Sequence, residues 1–367
     1  MNVLIAANYA SPFGGNFIGS MLDLAAKLRA RGDNIAFLFP KADCGERDWA
    51  QWIRKSGFET VVADLSGPAD EQLRILNETL EKYNIDLLHL HFELFQNLVR
   101  TRYRELRPVK IVIHDHMGYA TGRNVLKQKA RLALFSRDYA KNGFGLITVM
   151  RKKKNAYIFM RKKWYVANGL SLLRNVDHFA TREETRKALG IQDDEILCTL
   201  FGWDMKRKGV DIAVQAISKL REQGHNVILG IIGGSKEGYS NFIRSYGVDP
   251  DNPWIHYIDS REDVFSLHRA ADVFLSLSRN EGFPYGILEA VSQNTPVVIS
   301  DIQETKWALD YTKTSIYPVE DPVACAEAIL RSAAFGYKSS NAAEIIDRYS
   351  IDKWCEGVME VYDAMLR

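Results

Sequence analysis

Twice along this chain, short apolar segments alternate with helical ones, and that pattern narrows the choice of fold more than any other feature. In the first run the apolar segments are Val3–Ala7, Ile35–Phe39, Thr60–Ala63, Asp86–Leu90, Val109–Ile113 and Leu146–Val149. In the second they are Ile196–Phe201, Val227–Ile232, Trp254–Ile258, Val273–Leu277 and Val297–Ser300. Most are near-continuous runs of Val, Ile, Leu and Phe, the mark of strands covered on both faces and therefore of parallel sheets. Parallel neighbours need a long crossover, and the intervening stretches have the helical spacing to supply it: Phe17–Leu28, Asp48–Lys55, Ala69–Tyr83, Val210–Gln223, Glu262–Ala270, Pro284–Gln293 and Pro322–Ser332. A length of 367 residues fits two such α/β domains, with the seam inside Asn168–Asp194. We place the first domain at 1–170 and the second at 171–350; the amphipathic stretch 351–367 closes the chain.

Open parallel sheets bind ligands at the carboxyl ends of their strands, so the chemistry is sought there. After Val273–Leu277 comes a polar turn holding Glu281, Gly282, Phe283, Pro284, Tyr285 and Gly286, then a short helix holding Glu289. Free N–H groups at a helix start favour a phosphate, and carboxylates accept hydrogen bonds from sugar hydroxyls. Together they describe a site for a phosphorylated sugar. After Ile196–Phe201 come Lys206, Arg207 and Lys208, immediately before Gly209. Three cations between a strand end and a helix start suit a diphosphate clamp, with Lys208 its foremost member; a solvated basic turn is the plainer reading.

In the first run, the loop Asn8–Asn16 carries Gly14 and Gly15 but not the spacing of a dinucleotide fingerprint. Two strands end in His89-Leu90-His91 and His114-Asp115-His116. Each pair can share a face. A metal site, a hydrated wall and a substrate contact are all compatible with that spacing, and we expect no metal. Asp249-Pro250-Asp251 reads as a surface turn.

Net charge is +2, which implies no global polyelectrolyte partner. Between Arg123 and Lys163, however, thirteen Lys and Arg stand against Asp138 alone, leaving about −10 for the remainder. Lys127, Lys129, Arg131, Lys152, Lys153, Lys154, Arg161, Lys162 and Lys163 alternate there with apolar and aromatic residues. Such a surface suits anionic membrane headgroups; a solvated helix face and a nucleic-acid contact are the other readings, the last without a supporting motif. Cys44, Cys198, Cys325 and Cys355 are scattered, as expected of reduced thiols in a cytoplasmic protein. The opening Met-Asn-Val-Leu-Ile-Ala-Ala reads as a first strand, not a signal peptide, and no apolar run is long enough to span a bilayer.

Glu281-Gly-Phe-Pro-Tyr-Gly-Ile-Leu-Glu289-Ala, followed by Thr295-Pro-Val-Val, resembles the Glu-x7-Glu signature of retaining glycosyltransferases of family 4. Gly202, Lys208-Gly209, Gly233-Gly234, Ala271-Asp272-Val273 and Asn168-Gly169 fall where that family has its other short motifs. The resemblance implies a GT-B fold: α/β, two Rossmann-like domains facing across a cleft, with the C-terminal helix crossing back to the first. It implies a nucleoside-diphosphate sugar donor, UDP foremost, on the second domain and an acceptor mainly on the first. By position, Glu289 would bind ribose hydroxyls and Glu281 the donor sugar. Lys208, Arg207 and backbone amides around Phe283–Gly286 would hold the diphosphate. Gly15 would approach the phosphates, and His116, with His114 as runner-up, would be the active-site histidine beside His89 and His91. Trp203 replaces a common Arg, Pro284 a common Gly, and Met117 a common Asp.

The expected activity is metal-independent glycosyl transfer, with retention, to a saccharide or lipid-linked acceptor in cell-surface polysaccharide assembly. The expected location is the cytoplasm or the inner membrane face. A nucleotide-sugar epimerase or hydrolase, and a catalytically silent GT-B subunit, are the alternatives. Oligomeric state is left open.

Overall fold

The computed structural model describes residues 1–9, 11–41, 47–118, 125–174, 176–336 and 338–367. Cys44 and Arg123 lie outside them. The chain forms two compact units, Met1–Asn175 with Ser350–Arg367, and Val176–Tyr349.

The first unit is built on seven parallel strands: β1 (Asn2–Ala7), β2 (Asn34–Pro40), β3 (Glu59–Ala63), β4 (Leu87–His91), β5 (Lys110–Asp115), β6 (Gly145–Thr148) and β7 (Lys163–Tyr165). Their order is β3-β2-β1-β4-β5-β6-β7, so the winding reverses between β1 and β4. The second unit repeats the plan with β8 (Ile196–Phe201), β9 (Val227–Ile232), β10 (Ile255–Ile258), β11 (Val273–Ser276), β12 (Val297–Ser300) and β13 (Thr314–Tyr317). Its order is β10-β9-β8-β11-β12-β13, with the reversal between β8 and β11. At such a reversal the flanking loops diverge to opposite faces and leave a crevice. The loop with Gly15 and the end of β4 flank the first reversal; the loops with Lys208 and Glu281 flank the second.

The strands are as apolar on both faces as their sequence requires, Val3 to Ala7 being fully buried. Several helices start at a side-chain cap. Thr181 and Glu184 form a reciprocal capping box at Arg182–Leu189, and Asp321 caps Pro322–Ala333, which has proline in its first turn. Ser350 caps the last helix, Ile351–Leu366.

That last helix belongs to the first unit. Trp354, Val358, Val361, Tyr362 and Met365 recur at helical spacing and enter the same core as β1 and the helix Gly15–Ala30. Each such burial contributes about 1.5–3 kcal/mol. Two glycines make room: a Cβ on Gly145 would lie 2.8 Å from Met365 Sδ, and one on Gly169 2.7 Å from Trp354 Cβ.

Three features differ from expectation. β5 runs on to Asp115, so His114 is a strand residue and not a strand-end one. Edge strands β7 and β13 carry Lys-Trp-Tyr and Thr-Ser-Ile-Tyr, too short and too polar to show as apolar runs. The helices Val125–Lys141, Arg182–Leu189 and Lys236–Arg244 are also additions to the sequence reading.

Candidate functional site

In the second unit the adjacency of β8 and β11 brings two loops together. Lys208 Nζ lies 2.6 Å from Glu281 Oε1, and Ser278 Oγ donates to the same oxygen at 2.6 Å. Arg207 reaches Glu281 Oε1 at 3.4 Å, donates to the Asn280 carbonyl at 3.2 Å and is held by Asp204 at 2.9 Å. Gly209 makes the approach possible. Its φ is +74°, and a Cβ there would stand 2.4 Å from the Leu277 carbonyl oxygen. Glu281 is only 8% exposed. Burial pushes its carboxyl upward, but the charges of Lys208 and Arg207 and the hydrogen bonds from Lys208 and Ser278 outweigh burial. The group sits below the usual glutamate range and is a carboxylate at neutral pH, able only to accept hydrogen bonds.

The neighbours of this pair are set by contacts that the sequence reading did not single out. The Arg279 amide donates to the Arg207 carbonyl at 2.8 Å, and its guanidinium pairs with Asp211 and Glu320. Lys206 is committed to Asp211 at 2.7 Å and to the Tyr246 hydroxyl at 3.0 Å. That leaves Lys208 and Arg207 as the cations beside Glu281. Trp203, 64% exposed, stands with the Arg207 guanidinium 4.4 Å and the Lys208 amine 5.1 Å from its ring centroid. A signal was present, since Ser278, Arg279 and Asp211 lie within three residues of the motif residues.

The helix after Glu281 is Tyr285–Ser292, and Pro284 is its extended N-cap, one residue earlier than a first-turn position. Gly282 precedes Phe283, which is buried against Trp307 (centroids 4.8 Å apart) and Tyr349. Gly286 packs under the rings of Phe201 and Phe274. Glu289 is buried in the helix, its Oε2 3.8 Å from Nε2 of buried His268. Carboxylates, cations and a helix start therefore share one end of one sheet.

In the first unit, Gly15 opens the helix Gly15–Ala30 with φ +52°, and the Tyr9 hydroxyl donates to the carbonyl of Gly14 at 2.9 Å. The histidines of β4 and β5 and His116 just beyond come together. His91 and His114 are register partners, and the rings of His114 and His116 lie 4.1 Å apart. His89, His91 and His114 are buried; His116, just past β5, is half-buried and the outermost. Ring nitrogens of His89, His91 and His114 lie within 4.8 Å of one another, close enough to share a metal ion. Burial depresses His89 to about 3 and His91 and His114 well below the usual value, and their neighbours' charges add to the effect. His116 falls to about 4, mainly through burial, with Asp115 opposing and Lys153 assisting. Of the readings open to these residues the hydrated wall does not hold, because the rings form a buried, neutral cluster.

A cavity of about 120 Å³ lies beside it, lined among others by Phe92, His116, Met117, Arg131, Phe135 and Tyr157. Its floor is an ion pair: Lys153 Nζ lies 2.7 Å from Asp115, which also accepts from the Tyr157 hydroxyl at 2.7 Å. This corrects the expectation for Lys153, which is 2% exposed and cannot face a membrane. Lys163 is also drawn inward, half-buried on β7 and donating to the Tyr157 carbonyl at 2.8 Å. Lys154 is half-buried as well. Arg131 is exposed but pairs with Glu93. Lys127, Lys129, Lys152, Arg161 and Lys162 are exposed as expected, and Leu126, Leu134, Ile158 and Phe159 stand exposed among them.

Comparison with known proteins agrees with this geometry. Residues 181–333 match the family described as glycosyl transferases group 1. The chain is 31% identical over 124 residues to the lipopolysaccharide glucosyltransferase WaaG of Escherichia coli, covering 33% of this chain and 32% of that one. It is 32% identical over 126 residues, 34% of each chain, to the alpha-galactosylglucosyldiacylglycerol synthase of Streptococcus pneumoniae. It thus spans about a third of the length of these curated relatives. Among solved structures, Anabaena HepE in complex with UDP and glucose superposes with a TM-score of 0.76 at 15% identity, covering 99% of this chain and 100% of that one. The fold is GT-B, and the second unit carries a glycosyl transferases group 1 domain.

Proposed function

We propose that the chain is a retaining glycosyltransferase of family 4 that moves a sugar from a nucleoside-diphosphate sugar to an acceptor hydroxyl. One observation carries the reading: a buried Glu281 carboxylate paired with Lys208 at 2.6 Å, at the sheet end where a helix begins. On this reading the ligand divides the pair. Lys208 turns to the diphosphate with Arg207, and Glu281 accepts from hydroxyls of the sugar. Glu289 takes the ribose hydroxyls. Departure of the diphosphate builds negative charge, which Lys208, Arg207 and the helix start oppose without a metal. Retention follows from attack on the face that the diphosphate leaves. His116 contacts the sugar or orders the acceptor. HepE was solved with UDP and glucose, which supports UDP as the nucleotide.

The acceptor reading rests on the first unit. Its small cavity beside His116 and the exposed Leu126, Leu134, Ile158 and Phe159 among lysines and arginines suit an amphiphilic acceptor held at an anionic membrane surface. Two relatives are by name a lipopolysaccharide glucosyltransferase and a diacylglycerol glycolipid synthase, which supports a lipid-linked acceptor in cell-surface assembly. A thermal-shift screen over UDP, GDP and ADP sugars tests the donor, because a ligand of the folded form raises its melting temperature. UDP sugars should raise it; no shift with any of the three would defeat the proposal. NMR of the donor without acceptor should show the sugar largely intact, whereas an epimerase or hydrolase would convert it.

A further inference from the structure

Behind His116 runs a line of buried rings. His116 Nε2 lies 2.8 Å from His91 Nδ1, and His91 Nε2 lies 3.3 Å from His89 Nδ1. The Tyr362 hydroxyl lies 2.6 Å from that same His89 nitrogen. His89, His91 and Tyr362 are fully buried. The line leads from the half-buried ring past β5, through the core, to the last helix.

A neutral imidazole has one N–H and one lone pair. Burial keeps His89 and His91 neutral. It also pushes the Tyr362 hydroxyl well above its usual value, so that group keeps its proton. If the phenol donates to His89 Nδ1, that nitrogen is a lone pair and the His89 proton sits on Nε2. His91 Nε2–H then shares that lone pair as the longer, weaker donor at 3.3 Å, whereas a bare His91 Nε2 would set two lone pairs against each other there. His91 Nδ1 becomes an acceptor and takes the Nε2–H of His116. The reverse order puts the His89 proton on Nδ1 and gives the phenol proton nothing to meet along the line. Nε2 of His89 is buried without a hydrogen-bond partner among the described residues. The first order therefore leaves one polar group unmet, that N–H, and one lone pair shared by two donors. The reverse leaves two, the phenol O–H and the bare Nε2. An unmet buried group is costly, so the first order prevails.

We infer that Tyr362, His89 and His91 are positioning residues that hold the proton of His116 on Nε2 and leave its Nδ1 as the acceptor for a substrate hydroxyl. The part of this that concerns substrate rests on the role proposed above for His116.

The test is nitrogen-15 NMR of the histidine rings in the full chain at neutral pH, with donor turnover measured on the same samples. The wild type should show His116 as the Nε2–H tautomer. Tyr362→Phe removes only the hydroxyl. It should shift a measurable share of His116 to Nδ1–H and lower kcat about tenfold, the equivalent of one hydrogen bond, with KM for the donor unchanged. His91→Asn keeps an acceptor near the Nδ1 position and should preserve the tautomer and most of the turnover; His91→Leu should lose both. A wild-type His116 protonated on Nδ1, or Asn and Leu variants that behave alike, would overturn the inference. So would ring shifts that saturate with one equivalent of zinc and abolish the relay hydrogen bonds, since the cluster would then be a metal site. The expected tautomers in a protein that turns over no donor would instead defeat the proposed reaction and leave the relay standing.

Discussion

Lys208 and Glu281 are each other's nearest opposite charge at 2.6 Å, and this makes the site electrically quiet until something enters it. A diphosphate offers Lys208 more negative charge than one carboxylate, and sugar hydroxyls offer Glu281 donors in return. Lys208→Ala should cost ~2–4 kcal/mol of transition-state stabilisation, read as a fall of roughly a hundredfold or more in kcat with the acceptor saturating. Wild-type turnover by that variant would remove Lys208 from the mechanism. The histidines make a second residue-scale prediction, in stability. Their ordinary value is 6.5, and His89 is depressed to about 3, with His91 and His114 also well below the ordinary value. A base depressed by folding adds stability that is whole above its ordinary value. That stability drains as the pH falls below it, because the unfolded chain takes up protons that the folded chain refuses. Urea unfolding between pH 6.5 and 4 should lose up to ~1.4 kcal/mol per pH unit for each of these histidines. His114→Leu, which removes one titrating ring, should make the dependence shallower.

Among the elements, the basic stretch divides by burial. The helix Val125–Lys141 buries Leu132, Ser136 and Tyr139 and leaves Lys127 and Lys129 outside, whereas Lys153 on the next helix points into the unit. Lys127→Glu with Lys129→Glu should abolish flotation with anionic liposomes at low salt and leave the melting temperature nearly unchanged. Lys153→Ala should do the opposite, because removing one partner of a buried pair costs about 3–5 kcal/mol. Chemical unfolding and liposome flotation of the same two variants distinguish these outcomes. The sequence shows the cations but not this division: charge is visible in a string of letters, burial is not. The Lys208–Glu281 contact was similarly half legible. Both residues stand out by type and by neighbouring glycine, but they are 73 residues apart and their pairing depends on β8 and β11 lying side by side.

For the whole molecule, the two α/β repeats were readable because doubly covered strands need long apolar runs. What the pattern hides is polar or short: β7, β13, the basic helix Val125–Lys141 and the capped helices Arg182–Leu189 and Lys236–Arg244. The histidines misled for a related reason. A ring of intermediate polarity is written the same way whether it faces water or, as His89 and His91 do, the core. Deleting 350–367 should strip Trp354, Val358 and Tyr362 from the first unit's core and unfold that unit, while residues 176–349 keep their cooperative transition in calorimetry.

The same helix orders events during synthesis. Its residues leave the ribosome only after all of Val176–Tyr349 has emerged. The second unit can close as it appears, but the first must wait with β5, β6 and the helix Gly15–Ala30 lacking their cover until the helix Ile351–Leu366 is free. The first unit to be started is thus finished only after the second, and the hydroxyl that ends the histidine line arrives only with Tyr362.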